Sequence, residues 1–273
     1  MHGANDMNKM KTKPEENTIS ALYEKTTRKV GGTIHHYTSY GSAVSILTKR
    51  TFQLTRIDLL NDKMEKTFAD CSDNEVMYVL SFTNTSKESV AMWMLYGGVV
   101  GAGGIKVKMS IPRSKIIDSF NNQFFFDPQM KKQIPFEKLE YGVENYKKKK
   151  FSLRDVVYLD RRNGKLRYST KSYEGDCTES ELLQMFKGFI KYDAWEFESE
   201  ARVAVILLNQ DKIADAPKHI YAKIDEELLK TITITTDPWT SEDMKNVMKE
   251  SLNSLAGVQL RYQSSNLEGD VDF

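Results

Sequence analysis

Long apolar runs are what this sequence most plainly lacks. No stretch approaches the roughly 20 consecutive apolar residues of a membrane-spanning helix, and the polar N-terminus has no apolar segment of the kind a secretion signal carries. The expected location is therefore the cytoplasm, with no membrane partner. Cysteine is scarce: Cys71 and Cys177 stand far apart without a CxxC pair, so neither a disulfide framework nor a zinc site is indicated. A surplus charge of one sign is missing too. The net charge of +1 excludes a chain drawn to nucleic acid as a polycation and leaves only local patches to do so. Neither GxGxxG nor GxxxxGK followed by Ser or Thr occurs. Gly97, Gly98, Gly101, Gly103 and Gly104 precede a strand instead of opening a helix, so dinucleotide-fold and P-loop readings are weak. Internal repeats and low-complexity blocks are absent.

What is present suits a folded chain: 40% hydrophobic and 28% charged residues over 273 positions can bury a sizeable core. Residues 1–30, rich in Lys, Asn, Glu and Thr, read as a polar tail, and residues 31–273 as one domain. Period-two patterning predicts strands over residues 33–38, 52–55, 105–111, 219–224, 231–235 and 258–262, and β-rich apolar runs predict strands over residues 76–82 and 203–208. Helical spacing predicts helices beginning near the caps at Ser39–Ser42 and over residues 87–96, 179–190 and 241–252. Residues 121–150 give no clear pattern. The strands are short and some connections are too brief for regular crossovers, so the fold class is α+β with a mixed or split sheet.

Four clusters interrupt this patterning. His36 and Thr38 share one face of the first strand. Asn61-Asp62 marks a turn and cap, which would set Glu65 near a helix N-terminus where negative charge is favoured. Ser81-Phe82-Thr83 ends a strand and is followed by Trp93 and Tyr96, three apart on a helix. Finally, if residues 195–202 are extended, Glu196, Glu198 and Glu200 line one face with Arg202 continuing the row. Carboxylates that close repel unless a cation or ligand compensates. Separately, Lys147, Lys148 and Lys149 beside Tyr146, then Arg161 and Arg162, set basic groups among aromatics, a composition that suits phosphates and stacked bases as well as a solvated loop.

In order, His36-Tyr37-Thr38-Ser39, Asn61-Asp62-x-x-Glu65, Ser81-Phe82-Thr83, Trp93-x-x-Tyr96, Lys191 with Trp195, and Glu198-x-Glu200-x-Arg202 resemble a bacterial domain family of unknown function over about residues 33–265. The layout is also similar, remotely, to the ADP-ribosyltransferase fold of the His-Tyr-Glu type, which includes nucleic-acid-modifying toxins. This second resemblance implies an ADP-ribosyltransferase-like split sheet with flanking helices, and a mono-ADP-ribosyltransferase that consumes NAD and uses no metal. It implies His36 on the adenosine-side ribose of NAD with Tyr37 and Thr38 beside it, Tyr96 or else Trp93 stacked on nicotinamide, and Glu200 as the catalytic carboxylate with Glu198 two residues before. It further implies a nucleic-acid acceptor, RNA ahead of DNA, and a toxin or phage-defence effector held in check by an antitoxin partner.

Two other readings compete. A metal-dependent nuclease or hydrolase could be built on Asp62, Glu65, Glu198 and Glu200, since hard cations take clustered carboxylates. A non-enzymatic module binding nucleic acid or protein would need the basic stretch alone.

Overall fold

A computed structural model describes residues 21–23, 26, 31–62, 65, 75–96, 104–120, 124–125, 133–134, 146–162, 165–170, 173–209 and 216–270. The organising element is β3 (Glu75–Thr83), whose near-continuous apolar run is buried on both faces. One edge of β3 pairs antiparallel along its length with β12 (Glu200–Asn209), from Glu75 opposite Leu208 to Thr83 opposite Glu200. The other edge is shared. Strand β1 (Thr33–Ser39) meets it at Thr83, and β2 (Thr51–Arg56) meets it at Val79 and Tyr78. Leu80, Ser81 and Phe82 therefore lie in a split where one strand leaves and the next has not yet joined.

The rest of the sheet extends from these two branches. On the β1 side follow β4 (Lys106–Pro112), β14 (Thr233–Thr236) and β15 (Arg261–Gln263); on the β2 side follow β13 (His219–Lys223), β5 (Phe124–Phe125) and β6 (Gln133–Ile134). Strand β7 (Tyr146–Asp155) pairs with the far edge of β12, and a four-stranded second sheet holds β8 (Val157–Arg162), β9 (Lys165–Thr170), β10 (Tyr173–Cys177) and β11 (Ile190–Tyr192). Most pairings are antiparallel, with β11 parallel to β8 and β14 parallel to β15. The chain is a mixed α+β protein, and among the described residues no helix is long and apolar enough to cross a membrane.

Strand alternation sends the side chains of β3 and β12 into two cores. Tyr78, Leu80, Phe82, Ala201, Val203 and Val205 enter the larger one. Helices α1 (Tyr40–Lys49), α3 (Arg113–Phe120), α5 (Glu226–Leu229) and α6 (Glu242–Ala256) close that side with residues such as Leu47, Phe120, Leu228 and Leu252. Met77, Val79 and Ala204 enter the smaller core with Val157, Leu159 and Ile190 of the second sheet and Phe186 of α4 (Glu179–Phe186). Leu22 and Tyr23, inside the segment expected to be a tail, also pack there: Leu22 is fully buried, and the Tyr23 ring meets Phe186 edge-on at 5.9 Å. Burying side chains of this size contributes about 1.5–3 kcal/mol each, so this part of the segment belongs to the folded body.

The expected helix over residues 179–190 stops at Phe186. Gly188 adopts φ 76, a left-handed backbone that ends a helix, and Ile190 then enters β11. Helix α1 begins as its sequence indicates, with the Ser39 side chain accepting from the Ser42 amide at 3.1 Å. The Lys run, read as a solvated loop or a basic patch, lies instead in β7. That strand pairs only with β12 among the described residues, and lysines are a common guard on such an edge.

Candidate active site in the split of the sheet

The split leaves the Ser81 carbonyl without a strand partner on that edge, and His36 supplies one. Its Nδ1 lies 3.1 Å from the Ser81 oxygen, and because a carbonyl only accepts, Nδ1 carries the proton and Nε2 is left as an acceptor. Edge-on rings of Phe52 at 5.7 Å and Phe82 at 5.6 Å hold the imidazole in place. Burial lowers its pKa despite the Ser81 bond, which keeps the ring neutral. The space in front of His36 is a cleft of about 530 Å³, walled by Thr38, Ser42 and Lys49 on one side and Tyr96, Glu198 and Glu200 on another.

The two aromatics of α2 (Val90–Tyr96) have different environments. Trp93 is fully buried, and its indole N–H donates to Glu88 at 3.4 Å. Tyr37, on the opposite face of β1 from His36, packs edge-on against it at 4.7 Å. These two expected cofactor residues therefore form a small core of their own with Met92. Tyr96 is 38% exposed, borders the cleft and donates its hydroxyl to Glu198.

Glu198 belongs to a buried chain of alternating charge. Lys191 Nζ donates to Glu198 Oε2 at 2.6 Å and to Glu200 Oε2 at 3.3 Å. Arg202 grips Glu200 in bidentate fashion, Nε to Oε1 at 2.6 Å and Nη2 to Oε2 at 2.9 Å. The same guanidinium bonds Glu65 and, through Nη1, the Gly188 carbonyl at 2.9 Å. Three carboxylates thus meet two cations. The environments push the two central glutamates apart. Burial works to raise Glu200, but Arg202 and then Lys191 outweigh it and hold the carboxyl at about 2. Burial also raises Glu198, and there it prevails over the pull of Lys191. Tyr96 is pushed up by burial and by its bond to Glu198, so its phenol stays protonated.

The expected extended row of Glu196, Glu198 and Glu200 does not form. Asp193–Glu198 is a 3-10 turn and Ser199 takes φ 44, a left-handed backbone that is uncommon for a residue with a side chain. The turn carries Glu196 out to solvent, and the kink at Ser199 returns Glu198 and Glu200 to the same lysine. Glu65, read as a cap charge, is 4% exposed and serves as a second carboxylate for Arg202. Asn61 and Asp62 border the cleft.

Sequence order had already linked Lys191, Glu198, Glu200 and Arg202. Tyr158 was missed, because a tyrosine in a strand carries no signal of its own. Its hydroxyl accepts the Glu200 amide at 2.7 Å, and it sits opposite Lys191 across the β8–β11 pairing. The expected nucleic-acid residues fall on separate sheets: Lys147, Lys148 and Lys149 on β7, and Arg161 and Arg162 at the end of β8. Of the carboxylates in the hydrolase reading, Glu65, Glu198 and Glu200 are interleaved with Lys191 and Arg202 instead of pooled, and no His, Cys, Asp and Glu group among the described residues forms a metal cage. No protein-family model, curated protein or solved structure matches the chain.

Proposed function

We propose that the cleft is the site of an NAD-dependent mono-ADP-ribosyl transfer. The observation that carries this reading is the convergence of a neutral histidine, a half-exposed tyrosine and a paired-glutamate chain in a split of the sheet. In the reaction, the bond between nicotinamide and ribose C1′ breaks. Nicotinamide leaves with the electron pair, and an acceptor lone pair then bonds to C1′ and loses its proton. Positive oxocarbenium character develops on the ribose between these events. A fixed carboxylate in a chain of three carboxylates and two cations stabilises that character better than water can, since its preorganised groups need no reorganisation.

We assign the substrate-facing carboxylate to Glu198 and the positioning role to Glu200. Both Glu200 oxygens are tied to Arg202, and one also to Lys191, so little accepting capacity remains. Glu198 accepts one bond on each oxygen, from Tyr96 and Lys191, and keeps lone pairs for a ribose 2′-hydroxyl. Nε2 of His36 can accept from a second ribose hydroxyl, and the exposed Tyr96 ring can stack on nicotinamide. The acceptor is proposed to be nucleic acid, RNA ahead of DNA, and the biological role that of a toxin or defence effector with an antitoxin partner; both steps rest on analogy.

The test incubates the full chain with NAD labelled in its adenylate half and separate pools of cellular RNA, DNA and protein. Label transfer to RNA that falls by about 100-fold or more in Glu198→Gln is expected, the loss seen when a transition-state contact is removed. Absence of both label transfer and nicotinamide release in every pool overturns the reading.

A further inference from the structure

Strand β1 has a reverse face, and a second cavity of about 480 Å³ lies against it. Thr33 and His35 of β1, Lys108 and Ser110 of β4, Arg113 of α3 and Asn84 help to line it, and no aspartate or glutamate is among its described lining residues.

Two of these side chains carry unfinished hydrogen bonding. His35 is 7% exposed and Arg113 1% exposed, yet His35 Nε2 and Arg113 Nε are buried without a hydrogen-bond partner. The remainder of each group is well satisfied. His35 Nδ1 meets the Ser110 hydroxyl at 2.8 Å, and Arg113 reaches Asp155 at 2.7 Å and the Leu153 carbonyl at 3.1 Å. A guanidinium Nε always carries a proton. Burial, and then Lys108, lower the His35 pKa to about 4 against a smaller opposing effect of Glu88, so its ring is neutral. With the Ser110 hydroxyl donating to Nδ1, the proton of that neutral ring sits on Nε2. Lys108 adds an ammonium whose described carboxylate partner, Glu88, leaves it further protons to donate.

We propose that this cavity binds the phosphate group of a small ligand, held by His35, Lys108 and Arg113. Three nitrogen donors with the Thr33 hydroxyl outnumber the two oxygens of a carboxylate and suit the three or four of a phosphate, while Ser110 acts through His35 by keeping the ring proton on Nε2. The site lies back to back with the cleft across one strand, and the inference does not depend on the activity proposed there.

The test is calorimetric titration of the full chain with inorganic phosphate alone, and separately with acetate. Saturable one-to-one phosphate binding is expected, unchanged in Lys49→Ala, which alters the other cleft, and weakened about 10-fold or more in His35→Leu and Ser110→Ala. Circular dichroism verifies folding, and Ser110→Ala carries the test if His35→Leu does not fold. Lack of saturable binding, undiminished binding in the folded variants, or loss in Lys49→Ala alone refutes the site. Acetate binding as tightly as phosphate refutes the phosphate assignment.

Discussion

Replacing Arg202 with methionine removes the cation at the centre of the buried charge chain while keeping a side chain of similar length. Arg202 is 1% exposed and makes two bonds to Glu200, one to the Gly188 carbonyl and one to Glu65. Without it, three buried carboxylates, Glu65, Glu198 and Glu200, are left with Lys191 as the one remaining cation of the chain. Breaking a buried pair on one side costs about 3–5 kcal/mol, a large share of a total stability of about 5–15 kcal/mol. With a urea slope of about 2–3 kcal/mol/M, the unfolding midpoint should fall by about 1–2 M. The loss should also depend on pH. In the native protein the Glu200 carboxyl is held at about 2, below its ordinary 4.5, so its stabilising contribution is fully present above pH 4.5 and fades as pH falls toward 2. In the variant, burial without the guanidinium raises the Glu200 carboxyl, so protonation relieves the variant as pH falls below neutral. The gap between the two proteins therefore narrows from pH 7 to pH 4. Urea titrations at both values give the answer: a gap below about 1 kcal/mol at pH 7, or one that is the same at pH 4, refutes the reasoning.

Two further substitutions separate the site from its frame. Tyr96→Phe removes the hydroxyl that donates to Glu198; a hydrogen bond to a charged group contributes about 1.5–3 kcal/mol, so label transfer should slow by about 10- to 100-fold. The ring is 38% exposed, so the melting temperature should move by only a few degrees. Gly188→Ala should instead destabilise the protein by about 2 kcal/mol or more in thermal unfolding, because the new methyl would strike the buried Met77 sulfur and lie 2.9 Å from its Cε on a backbone with φ 76.

Much of the frame was legible in local patterning. Strands β1 and β3 and the Ser39 cap lie where their alternation and residue types indicate, because each depends on neighbours a few residues away. Strands β7 to β10 were not legible. The partner of β7 is β12, more than 40 residues on, and a Lys-rich edge strand lacks the apolar alternation by which strands are recognised. The helical spacing of Trp93 and Tyr96 could not distinguish a core residue from a cleft residue, because both positions fit a helix and only packing against Tyr37 distinguishes them. Reading residues 195–202 as extended failed for a related reason. The 3-10 turn and the left-handed Ser199 are held by contacts to distant groups, the Ser199 carbonyl accepting from the Asn84 amide at 2.8 Å.

By itself, then, the sequence determined the α+β class, the main strands and the set of polar residues available for chemistry, since these follow from periodicity and composition. Tertiary structure alone decided that β1 and β2 share one edge of β3 with a gap between them. It also decided that His36 fills that gap and that Lys191 and Arg202 divide the glutamates into one held far below its ordinary pKa and one raised above it. Hydrogen-bond register and desolvation are properties of groups brought together from more than 100 residues apart, and no local pattern encodes them.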